Sequence, residues 1–109
     1  GGIAQGVGQA MWEEIVYGDD GQLLSGSFMD YTMPKARFFP EIENTFTETP
    51  TPVNQLGSKG VGETGTTASI AAVMNAVVDA LKPYGVTDVD MPVTPEKVWK
   101  IIQSGGEKK

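Results

Sequence analysis

Histidine and cysteine are both missing from this 109-residue chain. Their absence removes the commonest metal ligand and general base, the thiolate ligands and nucleophiles, and any disulfide framework. Chemistry in this chain therefore falls to carboxylates, lysine, hydroxyls or a bound cofactor. Positive charge is scarce as well: eight Lys and Arg stand against fourteen Asp and Glu, for a net charge of -6. Nucleic-acid binding needs a basic stripe, and an acidic membrane surface would repel such a chain, so neither partner is expected. No run of 18 apolar residues occurs to span a bilayer. The chain opens on Gly1 without Met, a basic segment or an apolar leader, so no signal peptide is expected and the polypeptide reads as cut from something longer.

Glycine, by contrast, is plentiful. Fourteen glycines are well above the roughly 7% of average usage, which points to close backbone approach or left-handed turns. The length fits one small domain, taken here as residues 1–104 with a flexible tail at 105–109.

Along the chain, Ile3, Val7, Ala10, Met11 and Ile15 recur at three- and four-residue steps, which predicts a helix over 3–16. Gly2 and Gly6 lie one turn apart in it and leave a bare groove for another backbone or a ligand; packing on a sheet is the plainer reading. Asp20-Gly21 between short apolar runs predicts a hairpin, while Asp19 and Asp20 lack the oxygen-ligand spacing of a calcium loop. Residues 30–40, broken by Pro34 and Pro40, read as an irregular connector with Tyr31, Phe38 and Phe39 buried. "EIENTFTE" alternates, with Ile42 and Phe46 on one face, and predicts a half-buried strand over 41–48. The run "TTASIAAVMNAVVDALK" carries an apolar stripe through Ile70, Val73, Met74, Val77, Val78 and Leu81 and predicts a mostly buried helix over 66–82, stopped by Pro83 and Gly85. Thr94, Pro95 and Glu96 start a last helix over 95–103, with Val98, Ile101 and Ile102 turned inward. The fold class expected is α+β: a small antiparallel or mixed sheet packed with about three helices.

One stretch concentrates the chemical question. "SKGVGETGTT", residues 58–67, sets Glu63 among Gly60, Gly62 and Gly65. "GVGETG" has the G-x-G-x-x-G spacing of a dinucleotide-binding turn, but no hydrophobic strand leads into it, and no P-loop string occurs. Two readings stay open on the residues alone. In one, Glu63 favours the positive end of a helix dipole and Thr64 or Thr66 caps the helix. In the other, the glycines let a flat or polyanionic cofactor press on the backbone while Glu63 faces a reactive centre, where burial would raise a carboxylate's pKa toward working pH.

Three separated segments, "GGIAQGVGQAMWEEIVYGDDGQLLSGSFMDYTMPKA", "GSKGVGETGTTASIAAVMNAVVDAL" and "MPVTPEKVWKII", resemble in order the C-terminal part of the molybdopterin-binding large subunit of the xanthine oxidase family, the molybdenum hydroxylases. Within it the nearer likeness is to bacterial aldehyde oxidoreductase and aerobic carbon monoxide dehydrogenase large subunits. The resemblance implies an oxidoreductase that holds molybdenum through a pterin dithiolene and hydroxylates a carbon with oxygen from water. It assigns Glu63 as the catalytic base, places Lys59, Gly60, Val61 and Gly62 against the cofactor, and makes Gln5 a candidate polar contact; no metal ligand falls on this chain. It implies as partners the rest of the large subunit and iron-sulfur and flavin subunits, in the cytoplasm. Substrate stays open among aldehydes, purines, N-heterocycles and CO. The isolated chain is expected to be inactive, to hold no cofactor, and to self-associate. The alternatives are a non-catalytic assembly module that keeps the fold, and a nucleotide-binding domain using "GVGETG".

Overall fold

The computed structural model describes residues 1–105. Of the expected tail at 105–109, residues 106–109 lie outside the described residues. Among the described residues three helices carry the fold: α1, Gly2–Met11; α2, Thr64–Leu81; and α3, Pro95–Gln103, with 3₁₀ turns at Ala36–Phe38 and Lys82–Tyr84. The α1–α2 pair forms the only extensive contact between helices among the described residues.

That pairing answers what the glycines of α1 are for. A Cβ on Gly2 would stand 3.2 Å from the Thr66 nitrogen, and one on Gly65 would stand 3.1 Å from the Ile3 nitrogen. A Cβ on Gly6 would overlap the Ser69 hydroxyl and come within 2.9 Å of the Thr66 carbonyl oxygen. Backbone therefore packs on backbone at this crossing, and the surface that covers the groove is a helix, not a sheet. The Thr66 hydroxyl donates across the crossing to Gly2 O at 3.0 Å, and Ser69, itself buried, donates back to Thr66 O at 3.1 Å.

The expected sheet is not formed. Among the described residues there is no strand, and the hairpin shrinks to one isolated antiparallel bridge between Tyr17 and Leu23. The turn is real: Gly21 takes φ 81°, the Asp20 carboxylate accepts from Gln22 N at 3.0 Å, and Leu24 N donates to Val16 O at 2.8 Å. The ladder ends there because Val16 N donates to the Ser25 hydroxyl instead of to a backbone carbonyl. Residues 41–48 keep their alternation but have no strand beside them, so the apolar face has nothing to cover it: Phe46 is 85% exposed. A strand needs a neighbour for its backbone groups as well as a pattern.

Other boundaries and burials also differ from the expectation. α1 stops at Met11, not 16, because Trp12 leaves helical geometry (φ -134°) and packs its ring 5.3 Å from Phe38 and 5.6 Å from Phe39. The connector aromatics are not buried; Tyr31 and Phe39 are half-buried and Phe38 is exposed. α2 shows the expected stripe, half-buried through Ile70, Val73, Met74, Val77 and Val78 and buried at Leu81, but Ala71, Ala72, Ala76 and Ala80 face outward, so the helix is not mostly buried. It ends through the 3₁₀ turn at Gly85, φ 78°. α3 begins as expected, with the Thr94 hydroxyl accepting from Lys97 N, yet Ile102 and Trp99 are exposed. Ahead of it, Val93 is fully buried and its N–H donates to Ala10 O at 2.7 Å, which docks this segment on the end of α1.

The apolar core is small: among the described residues Ala10, Leu81 and Val93 are its buried members. The Cα radius of gyration is 17.9 Å, against roughly 13 Å for a compact chain of this length. The accessible surface is 8701 Å², where a compact 11.6 kDa monomer would show about 5,800 Å². The difference, roughly 2,900 Å², exceeds what one partner contributes to a standard protein interface, about 800 Å².

Candidate functional site

Glu63 is the residue immediately before α2, in its N-cap position, with helical ψ (-3°) and no side-chain capping bond. Its carbonyl is held from within the helix: both the N–H and the hydroxyl of Thr67 donate to Glu63 O, at 3.0 and 3.1 Å. Neither Thr64 nor Thr66 caps α2 through its side chain; the Thr66 hydroxyl is committed to Gly2 O and the Gln5 amide oxygen. The Glu63 side chain is exposed in this chain.

Upstream the chain runs bare. A Cβ added at Gly60 or Gly62 would meet nothing within 4 Å, and neither glycine has a left-handed φ. Packing inside this chain accounts for Gly2, Gly6 and Gly65, and a left-handed turn accounts for Gly57, but neither cause applies to Gly60 and Gly62. Their lack of side chains keeps open a groove of about 640 Å³ whose lining includes Gly60, Val61, Gly62, Glu63, Thr64 and Thr67. A second groove, about 510 Å³, lies along the same loop between Glu48, Pro50 and Leu56 on one side and Lys59, Gly60 and Val61 on the other.

The expected site residues thus fall into two groups. Gly60, Val61, Gly62 and Glu63 line one groove together, with Lys59 on the adjoining one. Gln5 lines neither; the α1–α2 crossing brings it to the first turn of α2, where its amide oxygen accepts from Thr66 at 3.3 Å. Sequence reasoning missed the supports: Thr67, four residues after Glu63, and Asn54, four before Ser58. The spacing of a hydroxyl or amide four residues from its target was the available signal.

The remaining polar cluster is structural. Tyr31 has its hydroxyl pKa raised, first by desolvation and then by the Glu13 carboxylate, whose charge and hydrogen bond both favour the neutral phenol. It lies near Pro34, whose ring occupies the space a side chain at Gly8 would fill. No group of three or more Asp and Glu able to hold a metal ion is found among the described residues. No helix among them is long and apolar enough to cross a membrane.

Residues 1–40 match a family model described as molybdopterin cofactor-binding domain. The chain is similar to the nicotine 6-hydroxylase large subunit of Paenarthrobacter nicotinovorans, 43% identical over 98 residues that make up 90% of this chain and 12% of that protein. It is also similar to the carbon monoxide dehydrogenase large chain of Hydrogenophaga pseudoflava, 40% identical over 94% of this chain and 13% of that one. Among solved structures, quinoline 2-oxidoreductase from Pseudomonas putida 86 superposes with a TM-score of 0.85 at 42% identity, covering 94% of this chain and 13% of that one. The chain therefore spans 12–13% of the length of these relatives.

Proposed function

We propose, on the premise that this chain belongs to the molybdenum hydroxylase family as a segment of its molybdopterin-binding large subunit, that it supplies the catalytic base, Glu63, and part of the cofactor-binding surface of such an enzyme. The observation that carries the reading is the backbone of Gly60 and Gly62: glycine there is required by nothing among the described residues, and the stretch leads straight to a carboxylate with no capping bond. A group lying flat against that backbone needs the Cβ atoms to be absent, so the residues present fit a bound pterin cofactor.

Bound molybdopterin would supply the redox chemistry of hydroxylation. Lys59, Gly60, Val61 and Gly62 form the surface it rests on, and Gln5, its amide oxygen fixed by Thr66, keeps its amide N–H groups for a polar contact. Glu63 takes a proton at its carboxylate oxygens, the role of a general base, worth about 10²–10⁴-fold in rate. In the whole subunit the remaining polypeptide covers the exposed surface of this segment and shields Glu63 from water. The partners are that polypeptide together with iron-sulfur and flavin subunits, and the setting is cytoplasmic. Substrate belongs to the aldehyde, purine, N-heterocycle or CO class, and the isolated chain does not turn over.

Glu63→Gln in the assembled large subunit tests the reading, with bound molybdenum and hydroxylation rate measured together. Retained metal with a rate lowered at least 100-fold is the expected result. An unchanged rate would leave Glu63 as a helix start and nothing more.

A further inference from the structure

The loop that carries the base is short, polar and glycine-rich, a composition that by itself specifies no fixed course. Among the described residues, the backbone groups of Lys59, Gly60 and Gly62 take part in no hydrogen bond. Yet the chain on either side is fastened by side chains. On the C-terminal side, Thr67 holds the Glu63 carbonyl through its N–H and its hydroxyl. On the N-terminal side, the Asn54 amide grips Ser58 at both backbone groups: Asn54 Nδ2 donates to Ser58 O at 2.9 Å, and Ser58 N donates to Asn54 Oδ1 at 3.1 Å. The Ser58 hydroxyl adds a weaker bond to the same Oδ1 at 3.4 Å.

The turn behind Asn54 is itself closed. Thr51 N donates to Gly57 O at 3.0 Å, Gly57 N donates to Asn54 O at 3.1 Å, and Gly57 takes φ 65° against Pro50, where a Cβ would stand 2.8 Å from the proline ring. This closed ring spends its hydrogen bonds on the direction in which the chain leaves Ser58, while its apolar residues Val53 and Leu56 stay 87% and 90% exposed. Its hydrogen bonds set where the next five residues go.

We infer that Asn54 and Thr67 are positioning residues for Glu63: two side-chain clamps, each five residues beyond an end of the 59–62 backbone, suspend that bare stretch so that the base and the glycines meet the cofactor in one geometry. The inference rests on Glu63 being the base. The clamps differ chemically. Asn54 must both donate and accept, so Asn54→Asp keeps the bond from Ser58 N and loses the one to Ser58 O. Thr67 contributes only its hydroxyl beyond the helix bond, so Thr67→Ser keeps the clamp and Thr67→Val removes half of it.

The test uses two readouts. In the 109-residue chain, backbone order parameters are measured at Gly60, Val61 and Gly62, with residues 73–78 of α2 as internal reference. Asn54→Ala lowers the loop values from the rigid range, near 0.85, toward those of flexible chain, below about 0.6, with α2 unchanged; Asn54→Asp, close to isosteric, falls between. In the assembled large subunit, Asn54→Ala and Thr67→Val lower kcat about 10-fold or more, since a misplacement near 1 Å can cost about 100-fold, while KM and molybdenum content hold and Thr67→Ser restores the rate. Loop order and kcat both at the parent level in Asn54→Ala and Asn54→Asp would overturn the inference, as would a loss of kcat that merely follows loss of molybdenum. Full activity in Glu63→Gln would instead overturn the reading of Glu63 as base, whatever the order parameters show.

Discussion

Replacing Gly6 by alanine sets two effects of known sign against each other at the α1–α2 crossing. Alanine in a helix interior is favoured over glycine by about 1 kcal/mol, so on propensity alone the substitution stabilises. The new Cβ, however, would overlap the Ser69 hydroxyl and stand 2.9 Å from the Thr66 carbonyl oxygen. The hydroxyl can turn away, but the carbonyl belongs to α2 and already accepts from Ser69, so relief requires the helices to move apart. Overpacking of this kind costs about 1–3 kcal/mol, and the bond from Thr66 to Gly2 O is stretched with it. The net expectation is a loss of roughly 1–2 kcal/mol, equivalent to a fall in Tm of about 5–15 °C at 4–8 °C per kcal/mol for a small domain. Urea unfolding followed by helical circular dichroism measures it. Adding Ser69→Ala should recover only part of the loss, because the backbone contact remains. If Gly6→Ala is as stable as the parent or more so, the close backbone approach described here is wrong.

Gly60→Ala provides the contrast: it meets nothing in this chain, so its stability in the isolated polypeptide should stay within about 0.5 kcal/mol of the parent, while molybdenum loading of the assembled subunit should fall. Loading at the parent level would show that nothing presses on that backbone. The Tyr31 hydroxyl ionises above its ordinary value because the folded surroundings and Glu13 favour the neutral form; the stability this contributes is present below the unfolded tyrosine value, about 10, and is lost as pH rises through the folded one. Absorbance titration at alkaline pH should show one of the three tyrosines ionising late, and Glu13→Gln should bring it earlier; an unmoved titration would remove Glu13 as a cause.

How much of this was legible in the sequence follows from where each element finds its partners. α2 and α3 were readable because their signals are local: the stripe from Ile70 to Leu81, Gly85 beyond it, and Thr94-Pro95-Glu96 at a helix start all act within a turn or two of chain. α1 was overrun because its end is set by Trp12 turning to Phe38 and Phe39, some 26 residues away in sequence, which no periodicity announces. The 41–48 strand was misread for the opposite reason. Ile42 and Phe46 carry a true β pattern, but a pattern states only what a segment would do beside another strand, and none of the described residues offers one. The glycines of the site were legible as unusual, yet those at 2, 6 and 65 serve helix packing while those at 60 and 62 do not. Only the three-dimensional crossing separates the two groups.

The way Glu63 is mounted has a kinetic consequence. Its carbonyl is pinned by Thr67 and its backbone starts a helix, but its carboxylate has no capping bond and stands free. An exposed side chain changes rotamer in picoseconds to nanoseconds, whereas enzymes of ordinary speed turn over about 1–1,000 times per second. In the isolated segment a carboxylate on a fixed pivot therefore samples its reach about a million times or more in the time of one such turnover, a freedom that a covering polypeptide would restrict.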